Sequence, residues 1–190
     1  MHEMTAARNK RLADSGVVQA PEASRGRCGI VCVVSASGIA EMFRDLGATI
    51  VDGGEKLNPS TEELLAAIES APENEVIVLP NSSNVILATE RALELASKPT
   101  AMVATTSQQA GLSAAVALNP SAEITANVQS MNAALCWIRT GGVAPAAKDD
   151  ADGRFDKGDA VGFIDEDLIA WGEPEVTLKT VLSALGSEAE

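Results

Sequence analysis

Short apolar segments alternate with segments of helical periodicity from residue 28 onward. Gly29–Val34 is almost wholly apolar and rich in β-branched residues, which is typical of a buried strand. Ile39–Leu46, after a short polar stretch, is amphipathic with the period of a helix. The pattern therefore predicts a strand, a tight loop and a helix.

The same succession recurs three times further along the chain. The predicted strands are Thr49–Val51, Glu75–Leu79 and Thr100–Ala104, and the helices that follow them end near Ser70, Ser97 and Leu118. Apolar strands without polar alternation are expected where helices cover both faces of a parallel sheet. We therefore predict an α/β fold in which βα repeats form a doubly wound parallel sheet.

The rhythm changes after Pro120. A short helix is predicted near Ser121–Ser130, and a Gly-rich and Asp-rich turn region follows over residues 141–158. Val161–Ile164 and Leu168–Trp171 are separated by three acidic residues and predict a β-hairpin. Val176–Leu185 predicts a last helix, so this part is interpreted as a small antiparallel β appendage.

These patterns predict three regions. Residues 1–27 show no sustained apolar period and are interpreted as a linker or tail. Residues 28–120 form the parallel α/β domain, and residues 121–190 form a β-rich appendage with a final helix, which we expect to be truncated.

Charge and composition exclude several classes of partner. The formal net charge is -13, and aromatic residues make up 3% of the chain with no Tyr. Such a chain repels phosphate backbones and anionic lipid surfaces and offers few rings on which bases could stack. We therefore expect no nucleic-acid partner and no membrane insertion.

Cysteine usage indicates a reducing compartment. Cys28, Cys32 and Cys136 are odd in number, and no signal peptide or long apolar run precedes them. Cys28 and Cys32 lie four positions apart in a predicted strand, roughly 13 Å, so they can neither bridge nor share a metal. We expect a cytoplasmic protein.

Complete catalytic sets are missing from the sequence. The only histidine, His2, lies in the predicted tail, so a Ser-His-Asp or Cys-His device within the domain is excluded. Neither a Walker motif nor a dinucleotide fingerprint occurs. The run Asp149–Gly153 suggests calcium but lacks the twelve-position pattern of an EF-hand, so a solvated turn is favoured. We predict no catalytic residue, metal or cofactor in this chain.

Polar loops after the predicted strands are the candidate ligand-binding or partner-binding surface. In open α/β sheets, ligands bind beyond the carboxyl ends of the strands, close to helix N-termini. The candidate residues are Ser35, Ser37, Gly38, Gly53, Gly54, Asn58, Ser60, Thr61, Asn81, Ser82, Ser83, Asn84, Thr106, Ser107 and Gln109.

A purely structural role is the alternative for several of these residues. Ser60 with Glu63, and Thr106 with Gln109, have the spacing of a capping box, in which the side chains satisfy helix-end donors. Asn81 can hold a turn through its own backbone. A capped helix end can still contact a partner, so both interpretations stay open.

Several motifs together resemble a known family. They are Leu46-Gly47-Ala48, Gly53-Gly54, Asn58-Pro59-Ser60-Thr61-Glu62-Glu63, Val78-Leu79-Pro80-Asn81 with Asn84, Thr106-Ser107 with Gln109, Arg139, Asp152-Gly153 and Lys157-Gly158-Asp159. This combination resembles the C-terminal region of the A subunit of bacterial fatty-acid kinase, which is a dihydroxyacetone-kinase-like (DAK phosphatase) protein related to the DegV family. The resemblance spans most of residues 28–172. Departures from the family pattern fall on the loops, at Glu55-Lys56, at Ser82-Ser83 and at Ala110.

The resemblance implies an accessory role in a larger kinase. ATP and magnesium would bind to another domain of the parent protein, and a DegV-type protein would present a fatty acid for acyl-phosphate formation. This chain alone would then be inactive and would dock that partner or the other domains of the parent. The alternatives are a stand-alone lipid or phosphometabolite binding module and a homo-oligomerisation domain.

Overall fold

The computed structural model describes residues 17–18, 27–54, 57–165 and 167–187. Contacts within the chain divide it into two units, one up to Ile138 and one from Arg139. Most of the segment predicted as a linker or tail, residues 1–16 and 19–26, lies outside the described residues.

The first unit contains a five-stranded sheet. Its strands are β1 (Val17–Val18), β2 (Cys28–Val34), β3 (Thr49–Asp52), β4 (Glu75–Leu79) and β5 (Thr100–Met102). The order is β1-β3-β2-β4-β5, in which β1 pairs antiparallel with β3 and the other pairs are parallel. The four predicted strands are confirmed, and β1 adds an edge strand from within the segment predicted as a tail.

Helices cover both faces of this sheet. They are α1 (Ser37–Asp45), α2 (Thr61–Ser70), α3 (Ser83–Leu95), α4 (Gln108–Val116) and α5 (Ile124–Leu135). Successive side chains of a strand point to opposite faces. Ile30 and Cys32 of β2 therefore pack with Phe43 of α1, while Val31 and Val33 pack with the helices on the other face. This alternation confirms the doubly wound arrangement.

Helix α5 belongs to the first unit, so the predicted division after Pro120 lies too early in the chain. Met131 of α5 is fully buried in the core cluster of the sheet. The backbone N–H of Ile124 donates to Oε2 of Glu75 at 2.8 Å, and Arg27 pairs with both Glu75 and Glu123. The sequence predicts a helix here but carries no signal for the sheet on which it packs.

The second unit is an antiparallel sheet with one helix. Its elements are β6 (Gly141–Pro145), β7 (Ala160–Ile164), β8 (Asp167–Gly172) and α6 (Pro174–Ser187), and the strand order is β6-β7-β8. The predicted hairpin and last helix are confirmed. Strand β6 occupies the first part of the region that the sequence predicts as a turn. The glycines of this segment favour the turn prediction, because glycine is unfavourable in strands.

Close helix packing explains two glycines of this sheet, Gly141 and Gly162. A Cβ on Gly141 would lie 2.8 Å from Cγ1 of Val181, and a Cβ on Gly162 would lie 2.6 Å from Cγ2 of the same residue. Glycine at these positions lets α6 approach the sheet, which sequence propensity cannot reveal.

The acidic loop between β6 and β7 is an ordered turn. Oδ1 of Asp149 accepts from the backbone N–H of Lys157 at 2.8 Å, and Asp150 pairs with Arg154 at 2.8 Å. The Arg154 guanidinium holds the pKa of Asp150 well below its usual range and lies 5.5 Å from the centroid of the Trp171 ring. Over the described residues, no group of three or more His, Cys, Asp or Glu is placed to hold a metal ion.

None of the helices in the described part of the chain has the length and apolar content needed to span a membrane.

Glu73 is a buried carboxylate just before β4. Only 7% of its surface is exposed, and Gly29 leaves room for it, because a Cβ there would overlap the carboxyl group. Burial raises the pKa of Glu73 above its ordinary value. The folded state therefore favours the protonated form of this side chain.

We expect Glu73→Gln to increase the free energy of unfolding at pH 7, because the amide avoids burying a charge. A carboxyl whose pKa is raised by folding destabilises the protein progressively as pH rises from the unfolded pKa through the folded one. The gain should therefore shrink towards the ordinary pKa of 4.5. Urea unfolding at pH 4.5 and pH 7 measures it. Glu90→Gln, at an exposed position of α3, is the control, and a Glu73→Gln protein less stable than wild type at pH 7 would contradict the prediction.

Candidate functional site

The carboxyl ends of the parallel strands place the predicted loops along one edge of the sheet. The chain leaves β2 through α1 on one face and leaves β4 through α3 on the other. The order of the strands therefore reverses direction between β2 and β4, and a crevice opens where the two loops diverge. The candidate residues after β2 and β4 flank this crevice.

Asn81 is buried between the ends of β2, β4 and β5 at this edge of the sheet. Its Nδ2 donates to the carbonyl of Val33 at 2.9 Å, and its Oδ1 accepts from Oγ1 of Thr105 at 2.8 Å. The same hydroxyl accepts from the backbone N–H of Asn81 at 3.1 Å. Asn81 is 1% exposed and has a φ of 58°, a left-handed conformation that asparagine tolerates well. Its polar atoms hold three strand ends together.

A second pair of hydrogen bonds closes the loops after β2 and β5 on each other. The backbone N–H of Ser35 donates to Oε1 of Gln108 at 3.1 Å, and Nε2 of Gln108 donates to Oγ of Ser35 at 3.1 Å. Sequence reasoning selects Gln109 and misses Gln108. Gln109 is exposed to solvent. The side chains of Gln108 and Gln109 point in different directions, and which of them faces Ser35 depends on the residue at which the helix begins.

The turn after β3 joins the same edge. The backbone N–H of Gly53 donates to the carbonyl of Val34 at 2.8 Å, and that of Asn58 donates to the carbonyl of Gly53 at 3.0 Å. Gly54 has a φ of 63°, a left-handed conformation that glycine adopts without steric strain. The turns that contain Asn58 and Asn81 thus bond to neighbouring residues of β2 and lie at the same edge of the sheet.

Three of the helices begin at a serine cap. Ser60 and Glu63 form the predicted capping box, Ser82 accepts from the N–H of Asn84, and Ser107 accepts from the N–H of Ala110. The predicted capping box of Thr106 with Gln109 is therefore wrong. Helix α4 begins one residue later than that motif requires, because Ser107 supplies an equivalent hydroxyl.

The candidate residues differ in their exposure. Asn81 is buried, and Gly53, Thr61, Ser82 and Ser107 are half-buried. The exposed ones, which we call the polar rim, are Ser35, Ser37, Gly38, Gly54, Asn58, Ser60, Ser83, Asn84, Thr106 and Gln109. Direct contact of these side chains with a ligand or partner stays a prediction, and Asn81 is suited to positioning the rim.

The chemistry of this edge is hydrogen bonding. Asp52 contributes a carboxylate beside the rim, and its Oδ1 accepts from the N–H of Gly54 at 2.9 Å. The two thiols of β2 are buried, and burial raises the pKa of Cys28 to about 11 and that of Cys32 well above its ordinary value, which disfavours the nucleophilic thiolate. The rim therefore offers hydrogen-bond donors and acceptors, with one carboxylate beside it.

Comparison with known proteins identifies relatives over most of the chain. The family model for the C-terminal region of proteins like the A subunit of fatty acid kinase matches residues 29–190. Protein YloV of Bacillus subtilis is 33% identical over 157 residues, which cover 81% of this chain and 28% of that protein. An uncharacterized protein of Staphylococcus haemolyticus is 31% identical over 163 residues, covering 84% and 30% of the two chains. The chain thus spans less than a third of the length of these relatives.

Gly111 of α4 tests the packing beneath Asn81. A Cβ at this position would lie 2.6 Å from Cγ of Asn81 and would overlap its Oδ1. We expect Gly111→Ala to lower the free energy of unfolding by ~1–3 kcal/mol, although alanine is normally favoured over glycine within a helix by about 1 kcal/mol. Chemical denaturation measures the change.

Gly38→Ala is the matched control, because this helical glycine of α1 has no atom within 4 Å of its added Cβ. It should leave stability unchanged or raise it by up to about 1 kcal/mol. Equal effects of the two substitutions would show that the Asn81 contacts do not constrain α4.

Proposed function

Because the chain belongs to the family of C-terminal regions of proteins like the fatty acid kinase A subunit, we propose that it is the accessory domain of an acyl-phosphate-forming kinase. In this proposal the polar rim docks a DegV-type protein that carries the fatty acid. ATP and magnesium bind to another domain of the parent protein. This chain orients the carrier relative to that distant site.

The observation that carries the proposal is the meeting of the βα turns at one sheet edge. Val33 and Val34 of β2 accept hydrogen bonds from the turns after β4 and β3, and Ser35 bonds to Gln108 after β5. A surface assembled from several turns of one rigid sheet presents many donors and acceptors in fixed positions. Such preorganisation lowers the entropy cost of docking a protein.

The kind of side chain on the rim also favours docking over transfer chemistry. Phosphoryl transfer needs magnesium ligands and a cationic cradle for the phosphates. The rim instead presents hydroxyl, amide and backbone groups, such as those of Ser83, Asn84 and Gln109. These groups suit recognition of a polar protein surface.

Substitution of the rim by arginine tests the proposal. We expect Asn58→Arg and Asn84→Arg each to weaken binding to a purified, oleate-loaded DegV-type protein at least about tenfold, because a bulky cation at the centre of a contact prevents close approach. Isothermal titration calorimetry with the 190-residue chain measures the affinity.

Asn74→Arg is the matched control. Asn74 is exposed and lies just before β4, at the opposite edge of the sheet, so its replacement should leave the affinity unchanged. The absence of binding by the wild-type chain, or equal affinities for all three variants, would overturn the proposal.

Sedimentation of the same proteins separates docking from the alternative of self-association. Under the docking proposal the rim variants keep the oligomeric state of the wild type. A change of that state in Asn58→Arg and Asn84→Arg, with binding of the carrier unaffected, would favour an oligomerisation domain.

A further inference from the structure

A cavity of about 420 Å³ lies beside α1 in the first unit. Its apolar wall contains Ala40 and Ile50, and its polar wall contains Ser35, Ser37, Arg44 and Asp52. The volume is within the range of small-molecule pockets. The cavity therefore combines one cation, one anion and two hydroxyls around a space large enough for a small organic molecule.

Arg44 is the unusual member of this wall. Its Nε is inaccessible to solvent and lacks a hydrogen-bond partner, and no ion pair to Arg44 occurs within the described ranges. The other described arginines, at positions 27, 91, 139 and 154, each pair with a carboxylate. Nε itself is closed to a ligand in the cavity, because even water does not reach it. The Arg44 side chain lines the cavity and has no counter-charge among the described residues, so it is suited to an anion that the protein itself does not supply.

Helix geometry directs this guanidinium into the cavity. Ser37, Ala40 and Arg44 are three and four positions apart, so they share one face of α1, and all three line the cavity. Long side chains on a helix point back toward its N-terminus. This geometry places Arg44 and Ser37 on the side of α1 that faces the cavity.

The N-terminus of α1 adds donors at the same end. Its cap is Ala36, which lines the cavity and provides no side-chain hydrogen bond. Backbone N–H groups in a first helical turn favour anions. On the other wall, Asp52 accepts from Gly54 through Oδ1 and is exposed, which suits a ligand group that donates a hydrogen bond.

We propose that this cavity binds a small organic oxyanion, a carboxylate or phosphate that carries a hydroxyl group. The oxyanion lies against Arg44 and Ser37, and the hydroxyl donates to Asp52. The inference does not rest on the docking of a protein carrier, because its argument uses Arg44 and Asp52, which the docking proposal does not use. Ser35 and Ser37 belong both to the cavity wall and to the polar rim.

Titration of the 190-residue chain with defined probes tests the inference. The probes are inorganic phosphate, acetate, glycerol 3-phosphate and glycolate, and the readout is the set of ¹⁵N–¹H signals of Arg44 Nε and of the α1 backbone. The Nε signal is assigned by its absence from Arg44→Met. We expect a saturable shift of these signals with at least one oxyanion class, and tighter binding of its hydroxylated member.

Three variants define the outcomes. Arg44→Met should weaken binding at least about tenfold, because a charge-assisted hydrogen bond is lost. Arg91→Met removes an exposed arginine of α3 and should bind the probes as the wild type does. Asp52→Asn should tighten binding of inorganic phosphate, because it removes a nearby negative charge. It should reduce the preference for hydroxylated probes, because an amide oxygen is a weaker acceptor than a carboxylate.

Signal dispersion in the same spectra shows whether each variant is folded. If Arg44→Met is unfolded, Arg44→Lys takes its place, and weaker binding of the oxyanion with altered α1 shifts is expected because the planar fork is lost. Absence of a saturable shift with all four probes, or equal shifts in the wild type and the folded Arg44 variant, would overturn the inference.

Discussion

The side chain of Asn81 joins the ends of three strands, and the geometry of the polar rim depends on it. Its amide bonds to the end of β2 and to Thr105 after β5, while its backbone begins the loop after β4. Both amide atoms have a partner and the side chain is buried, so it is not open to a ligand. A buried polar network of this kind is stabilising only when every member has a partner. These bonds therefore favour the observed arrangement of the loops around Asn81.

This network also explains choices of residue at a distance in the sequence. Gly111 is thirty residues from Asn81, yet its missing Cβ leaves the space that the Asn81 amide occupies. Helix α4 therefore lies close to the crevice, and Gln108 one turn earlier reaches Ser35. One asparagine with a left-handed backbone thus determines how near a helix, two loops and a strand end approach one another.

The sequence predicts the parallel part of the fold because its signals are local. Apolar β-branched runs such as Glu75–Leu79 and serine caps such as Ser60 are properties of a few neighbouring residues. Other features depend on contacts between residues far apart in the chain, so no short sequence pattern indicates them. They are the face of the sheet on which α5 packs, the pairing of β1 with β3, and the formation of strand β6. For the candidate site, the sequence places the correct loops. It does not show that Asn81 is buried, that Gln108 faces Ser35, or that Nε of Arg44 has no hydrogen-bond partner among the described residues, since each is a fact of side-chain direction.

Ser35 connects the rim with the cavity beside α1, and this sharing has a thermodynamic consequence. Its backbone N–H and hydroxyl bond to Gln108, while its side of the loop lines the cavity with Ser37 and Arg44. Any ligand whose binding shifts Ser35 changes the free energy of the contact with α4, and α4 packs on Asn81. Linkage makes this coupling reciprocal. If the ligand changes the affinity of the rim for its partner by some factor, the partner changes the affinity of the cavity for the ligand by the same factor. A rim with no freedom to move would give no such coupling, so the size of the effect reports how rigidly the Asn81 network holds the loops.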